Sequence, residues 1–251
     1  MASQGKLRIG VFIPSGAQLL DMSPIDLFGM LDPEYLAACK LPPSLVSLGT
    51  PSEIEYISTR ETGEHVPMTA NAFIRVSKTI DDPGVQAGSF HIILVPGPDP
   101  ATIFDEKVRA FLKSHADWRG EDGKTTDIVS VCSGCILLGQ AGVLKGKRAC
   151  GPRALLSDLE KQFPDTKWVD NKRWTKDGNI WTSGGITNGQ EMVAQYIREN
   201  FPGPAGDAVL AMADVGTKGI DYPTGKSREM LWWLWQIFRS FTASNKKHKA
   251  L

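Results

Sequence analysis

Net charge is the first thing this chain lacks: Lys plus Arg and Asp plus Glu both number 28. No overall field therefore draws it toward nucleic acid or an acidic membrane surface. Apolar runs fall short of the roughly 18 residues a membrane-spanning helix needs. The first residues, Met1 to Lys6, are short and polar and carry no secretory hydrophobic stretch. Cysteine is scarce, with only Cys39, Cys132, Cys135 and Cys150. Reduced thiols in the cytoplasm, not a disulfide framework, are the expectation. One C-x-x-C without partner ligands makes no zinc cage, and no Gly-rich phosphate loop follows a strand. No metal and no cofactor are expected. Internal repeats and low-complexity segments are also missing.

What is present is alternation. Leu7 to Ile13 (LRIGVFI) reads as a buried parallel strand, and Ser23 is placed to cap a helix opening at Pro24. Ser44 to Leu48 reads as a second strand, and Glu53 to Ser77 as β structure broken by turns. Phe90 to Val95 and Thr126 to Val131 are further strands, while Asp105 to Trp118, Ala154 to Phe163 and Thr187 to Asn200 have helical spacing. Short strands follow between Trp168 and Thr182. This order predicts one doubly wound α/β sheet over residues 1–202. A helical extension over 203–244, packed on the same domain or on a dimer, and a basic tail over 245–251 complete the expected organisation. Within the extension, SREMLWWLWQIFRSF is too apolar for a solvated helix. Packing on its own domain, dimerisation and a lid over the site are three readings of it.

The segment SVCSGCILLG carries the chemistry. A buried strand runs without a loop into a small-residue helix, which places Cys132 on the sharp turn between them. Such a turn exposes a nucleophile above the carboxyl edge of the sheet, where open α/β proteins bind ligands. The helix N-terminus beside the sulfur predicts a lowered thiol pKa. Cys135 permits a second reading, a thiol redox or stress-response protein using the Cys132/Cys135 pair.

Together with GVFIPSGAQLLD, PIDLF, LVPGPDP and NIWTSGGITNGQEM, this segment resembles the ThiJ/PfpI superfamily, most nearly its isonitrile hydratase branch. The resemblance implies a flavodoxin-like three-layer α/β/α sandwich with a mostly parallel sheet and a nucleophile elbow, as in class I glutamine amidotransferases. It also implies a homodimer and a small-molecule substrate; the balanced charge adds the expectation of neither nucleic acid nor membrane as partner. By the same resemblance Asp26 is the acid that touches the sulfur, with Asp21 as its rival. The backbone N–H of Ser133, with that of Gly97 or Asp99, would form an oxyanion hole, since Pro98 has no N–H to donate. Where relatives carry a histidine after the elbow helix, this chain has Ala149-Cys150-Gly151-Pro152-Arg153. Arg153, Thr187 and Glu191 are the remaining pocket candidates. A Cys–His mechanism loses its base, whereas hydration of an isonitrile needs a thiol, an acid and a water. A non-catalytic binding or chaperone-like role is the third reading.

Overall fold

The apolar runs become the centre of a seven-stranded sheet in the computed structural model, which describes residues 5–121 and 123–242. The strands in chain order are β1 (Leu7–Phe12), β2 (Ser52–Ser58), β3 (His65–Pro67), β4 (Phe73–Arg75), β5 (Lys78–Thr79) and β6 (Ile92–Val95). They continue with β7 (Asp127–Ser130), β8 (Arg148–Ala149), β9 (Lys167–Trp168), β10 (Trp174–Asp177) and β11 (Ile180–Ser183). The main sheet runs β10-β11-β7-β6-β1-β2-β5. Every neighbouring pair in it is parallel except β10 with β11. β3 with β4, and β8 with β9, form two small satellite ribbons.

Helices cover both faces, as an all-buried parallel sheet requires. They are α1 (Pro24–Gly29), α2 (Pro33–Ala38), α3 (Pro43–Val46), α4 (Glu106–Asp117), α5 (Gly134–Gln140), α6 (Leu156–Gln162), α7 (Thr187–Asn200), α8 (Pro204–Met212) and α9 (Lys226–Thr242). Period-two alternation splits the strand side chains between two cores. Ile92 and Leu94 join Phe28, Met192 and Val209 on one face, so α8 shares that core. Ile93 and Val95 join Leu112, Leu138 and Leu144 on the other. Each such fully buried side chain contributes about 1.5–3 kcal/mol of apolar transfer free energy.

Two local expectations are corrected. Ser44 to Leu48 is no strand: Pro43 opens the single helical turn of α3, and the second strand begins at Ser52. Five residues with three apolar side chains cannot distinguish the two states, and proline at the first helical position decides it. Ser23 does not cap α1 either. Its backbone is helical, and its hydroxyl donates to the Leu20 carbonyl at 2.7 Å. On α9, the side chains of Met230, Leu231, Trp232, Leu234, Trp235 and Ile237 are each more than half exposed. Among the described residues, no helix is long and apolar enough to cross a membrane. The basic tail and His248 lie outside the described residues.

Candidate active site

β1 has β2 on one side and β6 on the other, so the loops leaving β1 and β6 diverge and open a crevice at the carboxyl edge. The turns after β7 and β11 complete it. Cys132 sits there with φ +54°, a left-handed conformation that costs a non-glycine residue about 1–3 kcal/mol. Its surroundings hold it in place. Val131 before it is fully buried, and α5 begins two residues later. Gly134 lies so close to the Val95 carbonyl and the Ser130 hydroxyl that any Cβ would collide with both. Ser133 is anchored by its hydroxyl, which donates to the Pro98 carbonyl at 2.7 Å.

The carboxylate beside this sulfur belongs to Asp21, on a 3-10 turn spanning Leu19–Met22. Asp21 is fully buried. Gly97 donates its N–H to Asp21 Oδ2 at 3.0 Å, and Gln18 donates its N–H to the Gly97 carbonyl at 3.0 Å. The β1 and β6 loops are thereby tied across the crevice. Asp21 Oδ1 meets no N–H or O–H donor among the described residues, and the Cys132 thiol is the carboxyl's other hydrogen-bonding neighbour.

Burial dominates the electrostatics. It raises Asp21 from the ordinary 3.8 to about 7, against the lowering effect of the Gly97 N–H and of the thiol. Burial, followed by the Asp21 charge, raises Cys132 to about 11. The backbone N–H groups of Ser133 and Ile186 work in the opposite direction by pointing at the sulfur. The expected low thiol pKa is therefore corrected. Desolvation and the neighbouring carboxylate outweigh the hydrogen bonds that lower it. Near neutral pH the resting pair is a thiol beside a carboxyl that is about half protonated.

A cleft of about 650 Å³ opens above the pair. Ser15, Gln18, Met68, Thr69, Pro100 and Leu155 contribute to its walls, together with Cys132 and Ile186. Asp99 is the one charged residue among the described residues that line it. The β3–β4 ribbon forms one wall, pinned where Leu19 donates its N–H to Thr69 Oγ1 at 2.8 Å.

The sequence candidates divide sharply. Cys132, Asp21, Ser133 and Gly97 come together, but Asp26 does not. Asp26 is exposed on α1, and its charge acts on Tyr35 and Tyr56. The Gly97 N–H is engaged by Asp21 rather than open to a substrate oxyanion. Asp99 is exposed at the cleft rim, where its carboxylate accepts the Ala101 N–H at 2.9 Å. Arg153 does not line the cleft; its guanidinium lies over the Tyr222 ring, 4.5 Å from the centroid. Thr187 is exposed at the start of α7. Glu191 is buried, and its carboxylate accepts the Lys218 N–H at 3.1 Å. Cys135 is fully buried in the α4/α5 core, and burial raises its pKa further than that of Cys132. All four cysteines are free. Sequence reasoning missed Ile186, whose donor role is carried by backbone and signalled only by the Gly184-Gly185 pair before it.

Comparison with known proteins gives the family and the fold. Residues 43–199 match the DJ-1/PfpI family, a stretch that includes Cys132 but not Asp21. An isonitrile hydratase of Pseudomonas putida is 32% identical over 139 residues, covering 53% of this chain and 55% of that protein. The alignment thus spans about half of that relative. Among solved structures, Drosophila melanogaster DJ-1beta superposes with a TM-score of 0.62 at 17% identity, covering 84% of this chain and 99% of that one. A ThiJ/PfpI family protein from Pseudomonas syringae gives 0.61 at 17% identity, over 95% of this chain and 88% of that one. At such identities the structures establish a shared fold. With the family match extending over more than half of its length, the chain belongs to the DJ-1/PfpI family.

Proposed function

We propose that this protein is a cysteine-dependent, cofactor-independent hydratase acting on a small, neutral, electrophilic carbon of the isonitrile type. The observation that carries the reading is the Asp21 carboxyl held against the Cys132 thiol, poised to exchange a proton near pH 7. Two further features support it. The cleft lining includes no histidine, lysine or arginine among the described residues, which suits an uncharged substrate. The backbone donors at Ser133 and Ile186 face the sulfur, so they stabilise a thiolate nucleophile.

The proposed reaction is a net addition of water. Asp21 takes the thiol proton as the Cys132 sulfur bonds to the terminal isonitrile carbon, and the same proton passes to that carbon. The product is a thioimidate joined to the enzyme through sulfur. Water then adds to its carbon, with one of its protons going to nitrogen; the C–S bond breaks as the remaining hydroxyl proton passes through Asp21 to the sulfur, so that the thiol is restored and an N-substituted formamide leaves. No electrons are gained or lost, and no second base is required. A dithiol redox role draws no support from this geometry, because Cys135 is fully buried where a thiolate is disfavoured.

The test is formamide production from a small alkyl isonitrile, followed by mass spectrometry. Wild type should turn over. Cys132→Ser should fall to the uncatalysed background, and Asp21→Asn should lose about 100-fold or more in kcat. Asp26→Asn should leave turnover unchanged. A fully active Cys132→Ser variant, or an inert wild type with a reactive Cys132, would remove the hydratase reading.

A further inference from the structure

The connection between α8 and α9 is tied down at almost every residue. Glu191 accepts the Lys218 N–H, Arg173 Nε donates to the Gly219 carbonyl at 2.9 Å, and Lys172 pairs with Asp221 at 2.6 Å. At its centre lies Tyr222, with two guanidinium groups over its ring: Arg153 at 4.5 Å and Arg173 at 4.9 Å from the centroid. The hydroxyl of Tyr222 is directed at the turn after β11. Asn188 Nδ2 donates to it at 2.7 Å, and a Cβ on Gly184 would stand 2.6 Å from it. Asn188 also donates its N–H to the Gly185 carbonyl at 2.7 Å, which closes the turn. Between the two points that Tyr222 touches lies Ile186, which lines the cleft with Cys132 and whose backbone N–H lowers the thiol's pKa.

We propose that Tyr222 is a positioning residue for the nucleophile: wedged against Gly184 and Asn188, it holds the Ile186 N–H on the Cys132 sulfur. Tyr222 touches no reacting atom itself. The proposal rests on Cys132 being the nucleophile of the site, and it is independent of which electrophile is the substrate. The titratable groups that face the sulfur are Asp21 from the β1 loop and the Cys135 thiol from α5. Neither of them contacts Tyr222, so a change at Tyr222 reaches the thiol through the turn.

Alkylation of Cys132 by iodoacetamide, followed by mass spectrometry across pH, tests this without any substrate. Tyr222→Phe keeps the ring beneath the guanidiniums and deletes only the hydroxyl. The expected result is alkylation of Cys132 about three- to tenfold slower at pH 8, with the thiol's own ionisation step displaced to higher pH. Asn188→Ala should act in the same direction, and the double variant should add little to either single change. Cys135 and Cys150 should stay unmodified in each. The proposal is overturned if the Tyr222→Phe profile superimposes on wild type, or if alkylation slows without a displaced step. It is also overturned if Cys135 and Cys150 become reactive together with Cys132, since that marks general loosening. An enzyme inert toward isonitriles that still shows the displaced step would discard the substrate class and keep the brace.

Discussion

Asp21 illustrates what one buried carboxyl does to both chemistry and stability. Its folded-state pKa, about 7, lies above the unfolded value of 3.8, so the folded protein holds a proton that the unfolded chain gives up. The stability contribution is full below about pH 4 and is lost as pH rises through 7. A displacement of about three units corresponds to roughly 4 kcal/mol. His115 works in the opposite direction: buried against Phe90 and Phe111, it is lowered from 6.5 to about 4, so acidification through that window costs stability. The two effects oppose one another in wild type, and a variant separates them. Asp21→Asn still offers an oxygen to the Gly97 N–H. Its stability advantage over wild type should grow by roughly 4 kcal/mol between pH 4 and pH 8 in urea unfolding. An advantage independent of pH would show that Asp21 titrates normally. The family resemblance implied an acid beside the sulfur and matched it to Asp26 in PIDLF, with Asp21 as the rival. The discriminating signal lay in the neighbours: Ile25, Leu27 and Phe28 are buried on α1, which turns position 26 outward.

At the scale of the element, the turn from β7 into α5 was legible to within a residue or two, because few local sequences fit it. A buried strand must end, a left-handed residue must follow, and the helix must start against the neighbouring strand. Gly134 meets the last demand, and it offers a test by sign. Alanine at an exposed helical glycine stabilises by about 1 kcal/mol through propensity. Here a Cβ would meet the Val95 carbonyl, and overpacking costs about 1–3 kcal/mol. Gly134→Ala should therefore lower the unfolding free energy and slow Cys132 alkylation; a variant as stable as wild type would show that the turn tolerates displacement. Elements without strong periodicity were less legible. The run at Ser44 to Leu48 fits strand and helix equally well. The β3–β4 ribbon and the Tyr222 loop act on the site through long-range contacts that no local pattern announces.

Across the whole molecule, the alternation of short apolar runs with helical spacing was enough to specify a parallel sheet covered on both faces. What alternation could not specify is which loops meet at the carboxyl edge. That is fixed by strand order, which brings the distant residues Asp21, Gly97, Cys132 and Ile186 to one crevice. The apolar face of α9 is a further whole-molecule feature. Met230, Leu231, Trp232, Leu234, Trp235 and Ile237 are each more than half exposed on it. The balanced charge of the chain is matched by a cleft whose described lining carries one charged side chain, Asp99 at its rim.

That pair is the central claim, and the rate of Cys132 alkylation against pH in wild type and Asp21→Asn tests it most directly. A coupled pair titrates in two steps. Wild type should show a rise near pH 7 as the first proton leaves, a plateau, and a second rise near pH 11. Asp21→Asn should show a single rise at a pH below 11, because the neighbouring negative charge is gone. Identical single-step profiles in the two proteins would mean that the thiol and the carboxyl do not share a proton, and the proposed mechanism would fail with them.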